Sequence, residues 1–228
     1  KDTYSKNDMQ GNILENRKMN TFKLYNNKME GHQKEVYENI FKTYSSVQQI
    51  HEKQILTQAS IFVYKSKRDD FDNIGDVGLR NQFKITNRKS GINIKYRDDN
   101  NKLDLKNQGK KIYNIIKSLK KSKGIIFIYS QYISSGIIPL AIALEEAGYS
   151  KYDGDILDKK YRGDLVDYKG DKKEDGKEFK KGNYIILSGD KKLSPNNNKM
   201  INLLKKEWNS GDNLNGEKIK IIIGSEVT

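Results

Sequence analysis

Apolar residues recur at helical spacing in three stretches of the second half of the chain. The first stripe consists of Ile112, Ile115, Ile116 and Leu119. The second consists of Ile137, Leu140, Ala141 and Leu144, and the third of Met200, Ile201, Leu204 and Trp208. Residues three and four apart share one face of a helix, so these stripes predict three amphipathic helices, the first over about residues 108–122.

Between the helical stripes lie short, continuous apolar runs. They are Ile125–Tyr129, Tyr184–Leu187 and Ile219–Ile223. Runs of this kind are typical of strands that are buried on both faces of a parallel sheet. Strands that alternate with helices predict an α/β domain with a parallel sheet and right-handed crossovers.

The first half of the chain carries weaker patterns. Val36, Ile40, Tyr44 and Val47 predict a helix over about residues 33–58, and a short strand is expected over 61–64. We therefore divide the chain into a mainly helical lead-in and interlobe region, 1–104, and an α/β part, 105–228. Residues 150–182 are rich in Asp, Lys and Gly and lack periodicity, so we expect this insertion to be disordered.

Composition narrows the class of protein. The chain is 35% apolar and 32% charged, and no apolar run approaches the roughly 20 residues needed to span a bilayer, so we expect no membrane partner. There is no cysteine, which excludes disulfides and thiolate zinc sites. The net charge of +13 favours a polyanionic partner. All but six of the Lys and Arg residues are lysines, and an AT-rich genome also favours lysine codons. Both explanations of the positive charge, a polyanionic partner and codon bias, therefore stay open.

Several catalytic motifs are absent from the sequence. It contains no G-x-x-x-x-G-K-[ST] phosphate loop, no Asp-Glu pair for magnesium and no Q-x-x-G-R-x-x-R segment for an arginine finger. His51-Glu52 begins like H-E-x-x-H, but Ile55 stands where the second histidine belongs. We therefore assign no catalytic residue and no metal ligand, and we expect the chain alone not to hydrolyse ATP.

A polar turn follows the first apolar run of the α/β part. Ser130, Gln131, Tyr132, Ser134 and Ser135 lie between that strand and the next helix. Open α/β sheets bind ligands beyond the carboxyl ends of their strands, and a helix N-terminus attracts anionic oxygens. A plain helix-capping cluster explains the same residues, and the turn alone does not decide between the two.

Three segments resemble motifs of a known family. GIIFIYSQYISSGIIPLAIALEEAGY at 124–149 resembles motif IV of superfamily 2 helicases, in the form carried by the DEAD/Swi–Snf-like helicases of nucleocytoplasmic large DNA viruses. NYIILSGD at 183–190 resembles the segment after motif IV, and GEKIKIIIGSEVT at 216–228 resembles the opening of motif V. YNNKMEGHQKEVYENIF at 25–41 is similar to the stretch before the second lobe.

The resemblance implies a partial second RecA-like lobe, incomplete at the C-terminus, from an ATP-dependent helicase or translocase. The strand-contacting residues that it implies are Ser130, Gln131, Tyr132, Ser134 and Ser225. The supporting or interlobe residues are Gly189, Asp190, Gly224 and Glu226. Tyr129 and Tyr132 also offer rings that stack on a base, although we expect Tyr129 to be packed.

The resemblance also implies partners and a location. The partners are single-stranded RNA or DNA, the missing first helicase lobe and viral transcription machinery, in the host cytoplasm or the virion. ATP and magnesium belong to the full-length parent, because the motifs that hold them are missing here. The alternative is a non-catalytic, helicase-like docking module in a viral transcription complex. An unrelated nucleotide-binding α/β enzyme is disfavoured, because no G-x-G-x-x-G follows a strand.

Overall fold

A computed structural model describes residues 23–44, 50–65, 70–88, 91–100, 102–174, 178–209 and 211–226. The helices are Gly31–Tyr44 (α1), Ile50–Ile61 (α2), Gly75–Gln82 (α3), Leu105–Gln108 (α4), Lys110–Leu119 (α5), Ile138–Glu146 (α6) and Asn197–Asn209 (α7). The strands are Phe83–Arg88 (β1), Gly91–Tyr96 (β2), Ile126–Tyr129 (β3), Ser150–Lys151 (β4), Asn183–Leu187 (β5) and Ile221–Gly224 (β6).

The centre of the fold is a four-stranded, all-parallel sheet. Its strand order is β3-β6-β5-β4, with Ile221 of β6 opposite both Ile126 of β3 and Tyr184 of β5. All four residues of β6 are buried, as expected for an apolar run between two neighbours. The prediction of an α/β fold with a parallel sheet is therefore confirmed, and the arrangement is consistent with a RecA-like lobe.

Helices pack on both faces of this sheet. On one face, α5 and α6 bury their apolar residues against Ile221 and Ile223. On the other face, Met200 of α7 packs against Ile185 and Ile222. The stripes on α5 and α6 thus cover one face of the sheet. Of the third stripe, Met200 and Leu204 of α7 cover the other face, Ile201 is exposed, and the side chain of Trp208 lies outside the described residues. In the described part of the chain, no helix is long and apolar enough to cross a membrane.

The lead-in is helical, but its boundaries differ from those expected. The helix predicted over 33–58 corresponds to α1 and α2, and residues 45–49 between them lie outside the described residues. The strand expected over 61–64 is not formed, because α2 continues to Ile61 and residues 62–65 are irregular. Their amides are still satisfied: Val63 N donates to the Gln108 carbonyl at 2.8 Å and Tyr64 N to the Asn73 carbonyl at 2.7 Å. The apolar run that suggested a strand is explained by burial, because Phe62, Val63 and Tyr64 are all fully buried.

An antiparallel hairpin lies in the stretch to which the sequence assigned no firm structure. β1 pairs with β2, with Ile85 opposite Ile94. The amide of Ile94 also donates to the carbonyl of Ile156 at 2.7 Å, so the hairpin reaches the insertion. The main hydrophobic cluster includes Phe62 and Phe83 together with Ile112 and Ile221, so residues on both sides of position 104 share one core.

The insertion over 150–182 is folded in its described part, in contrast to the expected disorder. Its first residues form β4, which pairs with β5. Four of its apolar side chains are buried: Ile156, Leu157, Tyr161 and Val166. Residues 175–177 lie outside the described residues. A few well-placed apolar side chains therefore hold a segment whose overall composition is charged.

Candidate nucleic-acid interface

Two of the predicted strand-contacting serines lie side by side at the carboxyl edge of the sheet. Ser130 follows β3 and Ser225 follows β6, and these strands are neighbours. Backbone hydrogen bonds continue the ladder past the strands: Ser130 N donates to the Gly224 carbonyl and Ser225 N to the Leu187 carbonyl, each at 3.0 Å. The parallel register thus brings together two residues that are far apart in the sequence.

The Ser130 hydroxyl is half-buried and shapes its own turn. It donates to the Tyr132 carbonyl at 3.2 Å and lies 3.3 Å from the Tyr132 amide, which donates to it. A Cβ at Gly136 would come within 2.0 Å of the Ser130 oxygen, so the turn requires glycine there. The helical segment that follows has no side-chain N-cap hydrogen bond, so the Ser130 hydroxyl stabilises the loop and the capping interpretation is wrong.

The rest of the predicted motif IV turn is polar and partly accessible. Gln131 is exposed, while Tyr132 and Ser134 are half-buried. The backbone of residues 133–137 forms a π-helical turn directly before α6. Such turns are rare and are often found at functional sites.

Ser135, next in this turn, ties it to the lead-in. Its buried hydroxyl accepts from the Gly75 amide at 3.1 Å and lies 3.0 Å from the side-chain oxygen of Gln58. The Ser134 carbonyl also accepts a hydrogen bond from the Tyr64 hydroxyl. The polar turn is therefore fixed from behind by helices of the lead-in, and its position relative to the sheet is set by packing.

Around Ser225 the edge is open. The Ser225 hydroxyl is half-buried and lies 3.3 Å from the Glu226 carbonyl, to which it donates. Glu226 is exposed. Gly224 ends β6, and a Cβ at that position would come within 3.0 Å of the Phe127 ring. Among the described residues, Ser225 thus presents a hydroxyl with one weak local hydrogen bond.

Gly189 and Asp190 form the turn after β5. Gly189 is exposed, and the half-buried Asp190 carboxylate accepts from the amides of Lys192 at 2.7 Å and Leu193 at 3.2 Å. The carboxylate therefore holds the turn that leads to α7. This geometry gives Asp190 a local structural role beside the two serines.

The edge strand β3 presents aromatic rings to solvent. Phe127 is 64% exposed and Tyr129 is 58% exposed. The expectation that Tyr129 is packed is therefore wrong. The physical reason is that β3 is an edge strand: among the described residues, the α7 cluster reaches Ile185 of β5 and Ile222 of β6 but not Tyr129.

A basic cleft of about 600 Å³ lies at the opposite end of the strands, and sequence reasoning missed it. Its lining includes four exposed lysines: Lys120, Lys121, Lys123 and Lys169. Within the described part of the chain none of the four forms an ion pair. Three of them follow α5, where the carboxyl-terminal end of the helix dipole attracts cations. This run of lysines is the sequence feature from which the cleft could have been predicted.

Lys220 forms a wall of the same cleft. It is only 2% exposed, and its ammonium donates to the carbonyls of Ser122 at 3.0 Å, Gly124 at 2.7 Å and Asn215 at 3.0 Å. Burial lowers the pKa of Lys220. Because all three of its protons are used on backbone carbonyls, Lys220 holds the loops before β3 and β6 together and is not offered to a ligand.

Histidine and carboxylate side chains do not gather into a metal site over the described residues. The His32 ring lies 3.0 Å from the Tyr64 carbonyl, within hydrogen-bond distance, which gives it a structural partner. The side chain of His51 lies outside the described residues.

The sequence matches no protein-family model and no curated protein. The class of molecule is therefore defined by its own architecture, an α/β domain with an all-parallel sheet whose polar turns meet at the carboxyl edge.

Proposed function

We propose that this chain is part of the second RecA-like lobe of an ATP-dependent nucleic-acid helicase or translocase, in which it grips one strand. The observation that carries the proposal is the placement of Ser130 and Ser225 at the ends of adjacent parallel strands. Resemblance to motifs IV and V singled out these serines from the sequence. Their proximity is an independent, geometric reason to treat them as one site.

The chemistry of the edge suits a sugar-phosphate backbone. The two hydroxyls are donors to anionic oxygen, and the α6 dipole adds attraction for negative charge. Contacts to the backbone fix the position of a strand without reading its sequence. The net charge of +13 favours the encounter with a polyanion, whether RNA or DNA.

The other residues take supporting roles in this proposal. Gln131, Tyr132 and Ser134 border the strand on the motif IV side, while Glu226 and the glycine turns border the first lobe. The sequence lacks a phosphate cradle and an Asp-Glu pair, so its residues do not fit ATP or magnesium. In this proposal those groups belong to the first lobe, and the protein acts with viral transcription machinery in the host cytoplasm or the virion.

A titration of a fluorescent single-stranded oligonucleotide at several salt concentrations tests the grip. Replacing Ser130 and Ser225 by alanine removes two hydroxyl donors, each worth on the order of 1 kcal/mol, so the affinity should fall about thirtyfold. The slope of affinity against salt should stay constant because no cation is lost. Ser60, which is half-buried, and Ser118, which is exposed, lie on α2 and α5 and provide the matched control as a double alanine variant.

Equal affinity of the S130A/S225A variant and the parent at every salt concentration would contradict the strand grip. That result would favour the docking module, whose function does not need these hydroxyls. A loss of affinity of the same size in the S60A/S118A control would also contradict the proposal, because the effect would then not be specific to the carboxyl edge.

A further inference from the structure

One part of the sheet lacks the cover that parallel sheets usually have on both faces. Phe127 pairs with Ile222 and Tyr129 with Gly224, so both rings lie on the face of the sheet that α7 covers. There α7 packs on Ile222 and Ile185, but the two rings on β3 remain 64% and 58% exposed. Two large aromatic side chains are thus presented together to solvent.

The spacing of the rings is regular. Side chains two residues apart on a strand point to the same side, about 7 Å from each other. Gly224, next to Tyr129 on β6, has no side chain, and the Phe127 ring lies over it: a Cβ there would come within 3.0 Å of the ring. Ser130 follows Tyr129 directly, so the rings lead up to the carboxyl edge.

The chemistry of the exposed residues points to their occupant. Where helices cover this sheet, the strands present aliphatic side chains such as Ile185 and Ile222. On β3 itself the residues that face the core, Ile126 and Ile128, are also isoleucines. On β3 the aromatic residues are the two uncovered ones, whereas Tyr184 of β5 is aromatic but buried, with its hydroxyl donating to Glu145 at 2.6 Å. Flat π faces stack on bases of any sequence, which is the recurrent use of exposed aromatics in proteins that bind single strands.

We propose that Phe127 and Tyr129 form a stacking platform for two unpaired bases of a single-stranded nucleic acid, while the backbone crosses the edge at Ser130. The platform rests on the proposed function, since it deepens the same strand-binding site. Phe127 and Tyr129 are two residues apart along β3, a span of about 7 Å. This is about twice the 3.4 Å rise of a B-form strand, so each ring takes one base of an extended strand. A duplex, whose bases are already stacked, does not fit the platform.

The test compares two oligonucleotides of equal length, one with thymine at every position and one in which most positions are abasic. Both carry the same phosphates. The parent should bind the base-bearing strand about thirtyfold more tightly, the sum of two stacking contacts of about 1 kcal/mol each. F127A/Y129A should bind both strands equally, at the parent's affinity for the abasic strand. A Y25A/Y152A variant, which removes exposed rings elsewhere, should keep the preference.

The S130A/S225A variant separates this proposal from the strand grip. It should weaken binding to both oligonucleotides by the same factor and leave the preference for bases intact. Equal binding of both strands by the parent would overturn the platform and leave the strand grip standing. A preference that survives in F127A/Y129A would also overturn it. Concentration-dependent dimerisation of the parent that F127A/Y129A abolishes, without any preference for bases, would show instead that the face is an interface between copies.

Discussion

The two ends of the sheet differ in a way that their composition does not explain. At the β4 end, a charged and glycine-rich segment covers the fold and buries four apolar side chains. At the β3 end, an apolar strand leaves Phe127 and Tyr129 open to solvent. Burial here depends on the position of a segment in the sheet and on the residues that pack against it. The apolar content of the two segments alone would predict the opposite, a buried β3 and an exposed segment at β4.

A single carboxylate does much to hold the β4 end. Glu145, at the end of α6, is fully buried. Its oxygens accept from the amides of Ile156 at 2.9 Å and Leu157 at 2.7 Å and from the Tyr184 hydroxyl at 2.6 Å. The Arg162 guanidinium lies 3.9 Å away. The segment is therefore attached to the sheet by hydrogen bonds as well as by apolar contact, and the β3 rings have no equivalent.

The largest expected effect comes from replacing Glu145 by alanine. The change leaves two amides and one hydroxyl buried without an acceptor, so the free energy of unfolding should fall by about 3–5 kcal/mol. Urea denaturation measures it. The control is E146A: Glu146 is half-buried and, within the described ranges, accepts one hydrogen bond, from Tyr96 at 2.5 Å, so the loss there should be about 1 kcal/mol. Equal losses at the two sites would contradict the assignment of Glu145 as the main attachment.

The next effect concerns the apolar side chains of the same segment. Ile156 is fully buried, and its replacement by alanine should cost about 2–4 kcal/mol through lost contact and a residual cavity. Leu165, in the same segment but 49% exposed, is the matched control and should change stability by less than about 0.5 kcal/mol. Thermal unfolding of both variants measures the difference. An I156A variant as stable as L165A would restore the expectation of disorder.

Part of this fold could be predicted from the sequence. β3, β5 and β6 were predictable because their apolar runs are continuous, and α5 and α7 because their stripes repeat every three or four residues. The serines of the candidate site were found from resemblance. That they lie together depends on the strand order β3-β6-β5-β4, in which β3 and β6 are neighbours, and no sequence pattern shows that order.

Other features depend on contacts between residues remote in sequence. The β1–β2 hairpin had a signal, since Phe83 and Ile85 alternate with polar residues, as do Ile92 and Ile94, but the surrounding charge obscured it. No local pattern shows that Glu145 receives the amides of Ile156 and Leu157, which ordered a segment expected to be disordered. Nor does a local pattern show that β3 is an edge strand, and this decides that Tyr129 is exposed.

The stability of the β4 end should also depend on pH. Burial raises the pKa of Glu145 from 4.5 to about 7, although hydrogen bonds from Tyr184 and Ile156 oppose the shift. The folded state then holds this proton more tightly than the unfolded state. The contribution is fully present below about pH 4.5 and is lost as the pH rises towards 7, by at most about 3 kcal/mol.

Urea denaturation from pH 4.5 to 7 tests this dependence against the E145Q variant, which cannot ionise. The stability of the parent relative to E145Q should decline across the window. A constant difference would mean that the carboxyl group does not change its protonation there, and that the hydrogen bonds from Tyr184 and the two amides keep it ionised throughout.

The smallest expected effect lies at the β3 end and completes the comparison. Replacing both Phe127 and Tyr129 by alanine removes two large rings, yet their exposure means that no cavity opens, and stability should fall by less than about 1 kcal/mol through lower strand propensity. Urea denaturation at several protein concentrations measures it beside I156A, which removes far fewer atoms and should cost more. A loss as large as that of I156A would mean that the rings are covered in solution. If that loss also grew with protein concentration, the cover would be a second copy of the chain, because association adds stability by mass action.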